Sequence, residues 1–144
     1  MKKVVTNIAK LRKPCKPVTA GTNVNPIARA LLEYMWAHKT CAGLAANQLG
    51  YDVRVICVLV KHALRVMINP EIIERSELVV DDIEGCESLP GVKVKVKRNW
   101  FVWVKAQVPG GLEQYALEGL EARIVQHELD HLNGVLIIDH GEPI

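Results

Sequence analysis

The chain has no stretch approaching the roughly 20 apolar residues of a membrane helix. Its start, MKKVVTNIAKLRKP, carries an early charge pair but no apolar run behind it, unlike a secretory leader. An excess of one charge sign is also missing. Eighteen basic and 16 acidic residues leave a net charge of +2, too little to argue for nucleic acid or an anionic membrane as partner. Lys93, Lys95, Lys97 and Arg98 do cluster, but valines alternate with them, and the group reads as the solvated face of a strand. Cysteine is sparse. Cys15, Cys41, Cys57 and Cys86 form no CxxC pair, and four in 144 residues are too few for a disulfide framework. Cys41 and Cys57 read as small buried hydrophobes. Internal repeats, low-complexity tracts and linker-like shifts are absent. The expectation is one domain over residues 1–144, large enough for a real core.

What is present alternates between two periods. Asn25-Pro26 looks like an N-cap followed by proline at the first helical position. Ile27, Leu31, Tyr34, Met35 and His38 then follow at helical spacing, so a helix is expected to about Lys39. From Arg54 to Gln107 the pattern is strand-like. RVICVLV, LRVMIN and NWFVWVKAQ are rich in β-branched and aromatic residues. Pro109-Gly110-Gly111 predicts a hairpin joining Trp100–Gln107 to Gln114–Leu117. Leu120, Ile124, Val125, Leu129 and Leu132 give a helix over Gly119–Leu132, stopped by Asn133-Gly134. A last short strand is expected over Val135–Ile138. The sum is an α+β domain, antiparallel strands packed around a central helix.

That helix carries His127-Glu128-Leu129-Asp130-His131, an HExxH pattern. Two histidines four apart project from one helical face, so both imidazoles can reach one metal ion. They continue the stripe of Leu120 and Ile124, which sets the ion against the core. Glu128, beside a ligand but pointing elsewhere, can reach a water on that ion without ligating it, the position of a general base. A catalytic site of this type needs a third protein ligand and one open position. Cys86, in Glu84-Gly85-Cys86-Glu87-Ser88 at the end of a strand-like run, is the candidate.

Three segments together resemble the peptide deformylase family. Cys41-Ala42-Gly43-Leu44-Ala45-Ala46-Asn47-Gln48 is similar to its GxGLAAxQ-type loop, Glu84–Ser88 to EGCLS, and His127–His131 to HExDH. Flanking stretches LRKPCKPV, INPEI and QHELDHLNGVL extend the likeness over nearly the whole chain. The resemblance implies removal of the formyl group from N-formyl-methionyl nascent polypeptides, with release of formate. It implies a divalent metal on Cys86, His127 and His131, commonly iron(II), with nickel, cobalt or zinc able to replace it. It implies Glu128 as acid–base, and the Gln48 side-chain amide and the Glu87 backbone N–H as oxyanion donors. Gly43 would pair with the substrate backbone, and Leu120 and Ile124 would line the methionine pocket. It also implies a monomer in the cytoplasm of a bacterial or phage-infected cell, or in an organelle, with transient ribosome contact and neither membrane nor nucleic acid as partner.

The chain departs from the family pattern at Cys41, where glycine is usual, and at Glu87, where leucine is usual. It also stops soon after His131, so the C-terminal helical extension of many bacterial members is expected to be missing. Other readings share parts of the pattern. A metallopeptidase also uses HExxH, but takes histidine or a carboxylate as third ligand. A peptide-binding module without turnover has no need of a general base. A structural zinc site wants a fourth protein ligand, for which His38, His62 and His140 lack motif context and read as surface or loop residues.

Overall fold

The computed structural model describes residues 2–144. A short helix α1 (Ile8–Leu11) is capped by Asn7, whose side chain accepts from the Lys10 N–H at 3.0 Å. Helix α2 (Asn25–Ala37) starts one residue earlier than its sequence suggests. Val24 is the cap, and Asn25 and Pro26 both lie in the first turn, where the missing proline N–H costs nothing. Ile27, Leu31, Tyr34 and Met35 form its buried face.

Seven strands follow: β1 (Gly43–Ala45), β2 (Val55–Val60), β3 (Ala63–Arg75), β4 (Val79–Cys86), β5 (Leu89–Asn99), β6 (Phe101–Val108) and β7 (Gly111–Glu118). All pair antiparallel. Five form a sheet in the order β1-β2-β3-β6-β7, and β4 and β5 form a separate hairpin. The turn at Pro109-Gly110 joins β6 to β7 as expected, with Val108 opposite Gly111.

Long β3 serves two neighbours. Its first half pairs with β2 and its second with β6, with a register shift between Ile68 and Glu71. Asn69-Pro70 lies at that shift. Pro70 has no N–H for a ladder, and Asn69 adopts a positive φ of 48°. The Asn69 side chain holds Val18 through both its backbone N–H and its carbonyl, at 2.8 and 2.9 Å.

Helix α3 (Leu120–Leu132) is the central piece. Ala122, Val125, Leu129 and Leu132 pack on Ile56, Val58, Met67, Val102 and Val104 of the large sheet. Helix α2 covers the β1–β2 end through a second cluster, and Leu11, Leu89, Val94, Val96, Leu136 and Ile137 form a third beneath the small hairpin. After Asn133-Gly134 ends α3, the chain does not form the expected strand. Ile137–Asp139 is a 3-10 turn, closed by the Asp139 carboxylate accepting from the Leu136 N–H at 2.8 Å.

The basic run on β5 also needs correction. Val94 and Val96 are buried, and Lys93, Lys95 and Lys97 are exposed as alternation requires. Arg98 belongs to the inward phase and is buried. It is therefore not part of a solvated face.

Candidate metal centre and active-site cleft

Two elements bring the candidate ligands together. His127 and His131 lie on the α3 stripe that faces away from the large-sheet core. Cys86 lies at the tip of the β4–β5 hairpin, opposite Leu89, with Glu87 and Ser88 forming the turn. A register shift falls between Glu84 and Cys86, at Gly85, and turns the tip towards α3. One donor atom from each of Cys86, His127 and His131 lies within 4.8 Å of the others. Cys86 Sγ and a His131 ring nitrogen are 3.3 Å apart. That is near the spacing of two donors on one ion with bonds of about 2.3 and 2.1 Å.

The surroundings fit a cation. Burial pushes the His127 pKa down, but Glu128, Cys86 and Glu84 outweigh it and draw positive charge onto the imidazole. His131 is driven the other way, by burial and then by the charge of His127 and Arg98, and stays neutral. An ion shared by both rings would meet the same demand. His131 Nδ1 and Glu128 Oε1 are buried with no hydrogen-bond partner, so the cluster is polar and incompletely satisfied.

Behind the histidines lies a charge network that sequence reasoning missed. Glu84 Oε1 lies 2.8 Å from His127 Nδ1. Arg98 donates to both Glu84 oxygens at 2.9 Å, and Arg123 donates to Oε2 at 2.6 Å. Arg98 also reaches Asp130 at 2.5 Å, and a ring nitrogen of His140, which is exposed as its sequence suggested, lies 2.9 Å from Asp130. Burial raises the Glu84 pKa. The hydrogen bonds and charges of His127 and Arg98 prevail and hold it well below the usual carboxylate range. An ionised Glu84 accepting from Nδ1–H leaves Nε2 of His127 free for a metal. Glu84 and Asp130 lie inside recognised segments, which was the available signal. Arg98 and Arg123 had none, because only tertiary contacts distinguish them from surface cations.

The other expected residues converge on one cleft of about 530 Å³. Gly43, Gln48, Cys86, Glu87, Leu120, Ile124, His127 and Glu128 all line it. Glu128 is buried, and burial, partly offset by His127 and Arg98, raises its pKa to about 7. Gln48 accepts from the Ala45 N–H at 3.0 Å and turns its amide nitrogen to Ser88 Oγ at 3.1 Å and Cys86 Sγ at 3.7 Å. Gly43 lies in β1, an outer strand of the large sheet, so the edge away from β2 has no strand neighbour. A Cβ there would come within 2.7 Å of Glu128 Oε2 and 2.8 Å of Ile124 Cγ2. Leu120 is 68 % exposed, so it stands at the mouth of the cleft and not in the core stripe its spacing suggested.

Comparison with known proteins gives a consistent picture. The family model described as polypeptide deformylase matches residues 1–144. A peptide deformylase of Dictyoglomus thermophilum is 48 % identical over 121 residues, covering 82 % of this chain and 76 % of its own. The crystal structure of peptide deformylase from Thermotoga maritima superposes with a TM-score of 0.90 at 39 % identity, covering 99 % of each chain. A Met-Ala-Ser-bound class I type b peptide deformylase from Acinetobacter baumannii gives 0.89 at 32 % identity, covering 98 % of each chain.

Proposed function

The chain belongs to the peptide deformylase family, and from that premise we propose how its own residues remove the formyl group from formyl-methionyl peptides. The observation that carries the reading is the meeting of Cys86, His127 and His131 beside a buried, partnerless Glu128 oxygen. We assign these three residues as ligands of one divalent ion, iron(II) in the cell, with nickel, cobalt or zinc able to occupy the same donors. Such an ion would supply Lewis acidity and a nucleophilic water at neutral pH.

The rest is protein chemistry. Glu128, with a pKa of about 7, takes a proton from the attacking water and later delivers it to the leaving amine. The C–N bond of the formamide breaks, formate leaves, and the peptide keeps a free amino group. The Gln48 amide and the Glu87 backbone N–H donate to the oxyanion as the formyl carbon becomes tetrahedral. Donors of this kind contribute roughly 3–4 kcal/mol each. The free edge of β1 at Gly43 takes the substrate backbone as an added strand. Ile124 and Leu120 offer apolar surface to the methionine side chain, and the Met-Ala-Ser bound to the Acinetobacter baumannii relative is a peptide of matching chemistry. Residues 1–144 act as one catalytic domain. We place it as a monomer in the cytoplasm or in an organelle, where formylated chains emerge from the ribosome.

The test is formate release from a formyl-Met peptide by protein loaded anaerobically with iron or nickel. Glu128→Ala should keep its metal and fold and lose about 10²–10⁴-fold in turnover, the range for a general acid–base. Equal rates for wild type and Glu128→Ala would end this mechanism. Cleavage of internal amide bonds would point instead to a peptidase.

A further inference from the structure

The two substitutions within the family's motifs, Cys41 and Glu87, meet at one place. Glu87 follows the ligand Cys86 in the hairpin turn. A carboxylate at that position is itself a competent metal donor, which leucine is not. Its carboxylate is turned elsewhere. The phenol of Tyr34, reaching from α2, donates to Glu87 Oε2 at 3.3 Å. Tyr34 is only 4 % exposed. Its ring stacks on His38 with centroids 3.9 Å apart and planes 13° from parallel, and a His38 ring nitrogen lies 2.8 Å from its carbonyl oxygen. The buried Cys41 thiol donates to the Gly43 carbonyl at 3.2 Å on the same side of the cleft. Burial and then the Glu87 charge raise the Tyr34 pKa to about 12, so the phenol remains a donor across the working range.

We propose that Tyr34 is a positioning residue that tethers the Glu87 carboxylate to α2 and keeps it from becoming a fourth donor beside Cys86, His127 and His131. The inference rests on the ligand set proposed above. A family member with leucine after the cysteine needs no such tether. Here an extra carboxylate would close the position that substrate must share.

The test uses the cobalt(II)-loaded full chain as wild type, Tyr34→Phe, Glu87→Leu and the double variant. Visible cobalt(II) bands weaken as coordination number rises, so they report the donor count without any turnover. Tyr34→Phe should show weaker bands than wild type, whereas Glu87→Leu and the double variant should match wild type. Formate release should fall about 10–100-fold in Tyr34→Phe, as for other residues that orient a metal site, and the double variant should regain the wild-type cobalt spectrum. A purely packing role for Tyr34 gives no such rescue, because Glu87→Leu does not restore a lost core contact. An unchanged spectrum in Tyr34→Phe, or a change that persists in the double variant, overturns the proposal. If Tyr34→Phe does not fold, Glu87→Asp replaces it. It leaves the core intact and draws the carboxylate one methylene away from the hydroxyl. Weaker bands are then expected, and unchanged bands overturn the tether equally. Wild type that binds no equivalent of cobalt through a thiolate would refute the ligand set itself. Thiolate-bound cobalt that ignores Tyr34 refutes only the tether.

Discussion

At the scale of single residues, the site depends on charges that are matched before any metal is considered. Glu84 and Asp130 face Arg98 and Arg123, and His127 leans on Glu84. Arg98 and Glu84 are both nearly sealed from water, with side-chain exposures of 5 % and 6 %. Removing one partner of such a pair leaves the other charged and unpaired, which costs about 3–5 kcal/mol. Arg98→Met should therefore lower stability by that amount in urea unfolding. It should also weaken metal binding about 10–100-fold, because His127 loses an ordered carboxylate behind it. A variant with unchanged denaturation midpoint and unchanged metal affinity would show that Glu84 is held well enough by Arg123 alone. His38 and His62, by contrast, contribute to no such network. His38 stacks on Tyr34, and His62 is exposed in the turn between β2 and β3.

At the scale of elements, the decisive contact is β1 against α3. Gly43 has no need of a positive φ, and glycine is required there for space. The Glu128 and Ile124 side chains occupy the volume a methyl group would take. Gly43→Ala should keep the fold, since the strand is only three residues long and pairs with β2 through its backbone. It should displace Glu128 and lower formate release at least as much as it raises KM for the peptide. Circular dichroism melting together with kcat and KM separates this from general destabilisation, and an unaltered kcat would show that Glu128 has room to move. The same helix divides its work between two faces. Ala122, Val125, Leu129 and Leu132 hold α3 to the sheet, while Ile124 and His127 line the cleft and His131 lies buried beside Cys86. A helix anchored in this way holds both imidazoles with little freedom, which a loop would not.

At the scale of the whole molecule, the two ends of the chain are fastened together. Arg12 donates to both Asp139 oxygens at 2.8 and 2.7 Å, and Asp139 closes the 3-10 turn that follows α3. The Arg12 hydrogen bond, then the Leu136 N–H, hold the Asp139 carboxyl below its usual range. A depressed acid stabilises the fold above its unfolded pKa, near 4, and loses that contribution as pH falls through the folded value. Arg12→Met should therefore be less stable than wild type at neutral pH, and the gap should close as acid takes the pH below the depressed Asp139 value in denaturant titrations. A gap independent of pH would assign the effect to packing of the arginine stem. The site as a whole also carries a sensitivity of its own. If Cys86 holds the ion as proposed, its thiolate would be open to oxidants, so the iron-loaded form should lose activity in air faster than the nickel-loaded form. Equal half-lives would count against Cys86 as the oxidation-sensitive ligand.

The amino-acid order alone determined α3 and its contents. Leu, Ile and Val at a 3.6-residue period with an HExxH insert leave little freedom in which side chains share a face. It determined the β6–β7 hairpin, because Pro109-Gly110-Gly111 admits few other conformations, and the burial of Cys41 and Cys57 as small apolar groups. Cys86 was legible as a candidate ligand only in the company of the other motifs. Helix period has no reach across the 40 residues between Cys86 and His127. What lay beyond local pattern was decided in three dimensions. Arg98 looked like one more cation on a lysine-rich strand until the pleat turned it inward onto Glu84. Val135–Ile138 has strand propensity, but no open strand edge takes it up, and the Asp139 carboxylate offers its backbone a tighter turn. Tyr34 stood in the sequence only as one of several residues at helical spacing, and its hydroxyl meets Glu87 only because α2 is packed beside the hairpin tip that carries it. Periodicity records which side of an element is apolar. Partners for buried charges depend on which elements meet, and that is a property of the packed chain.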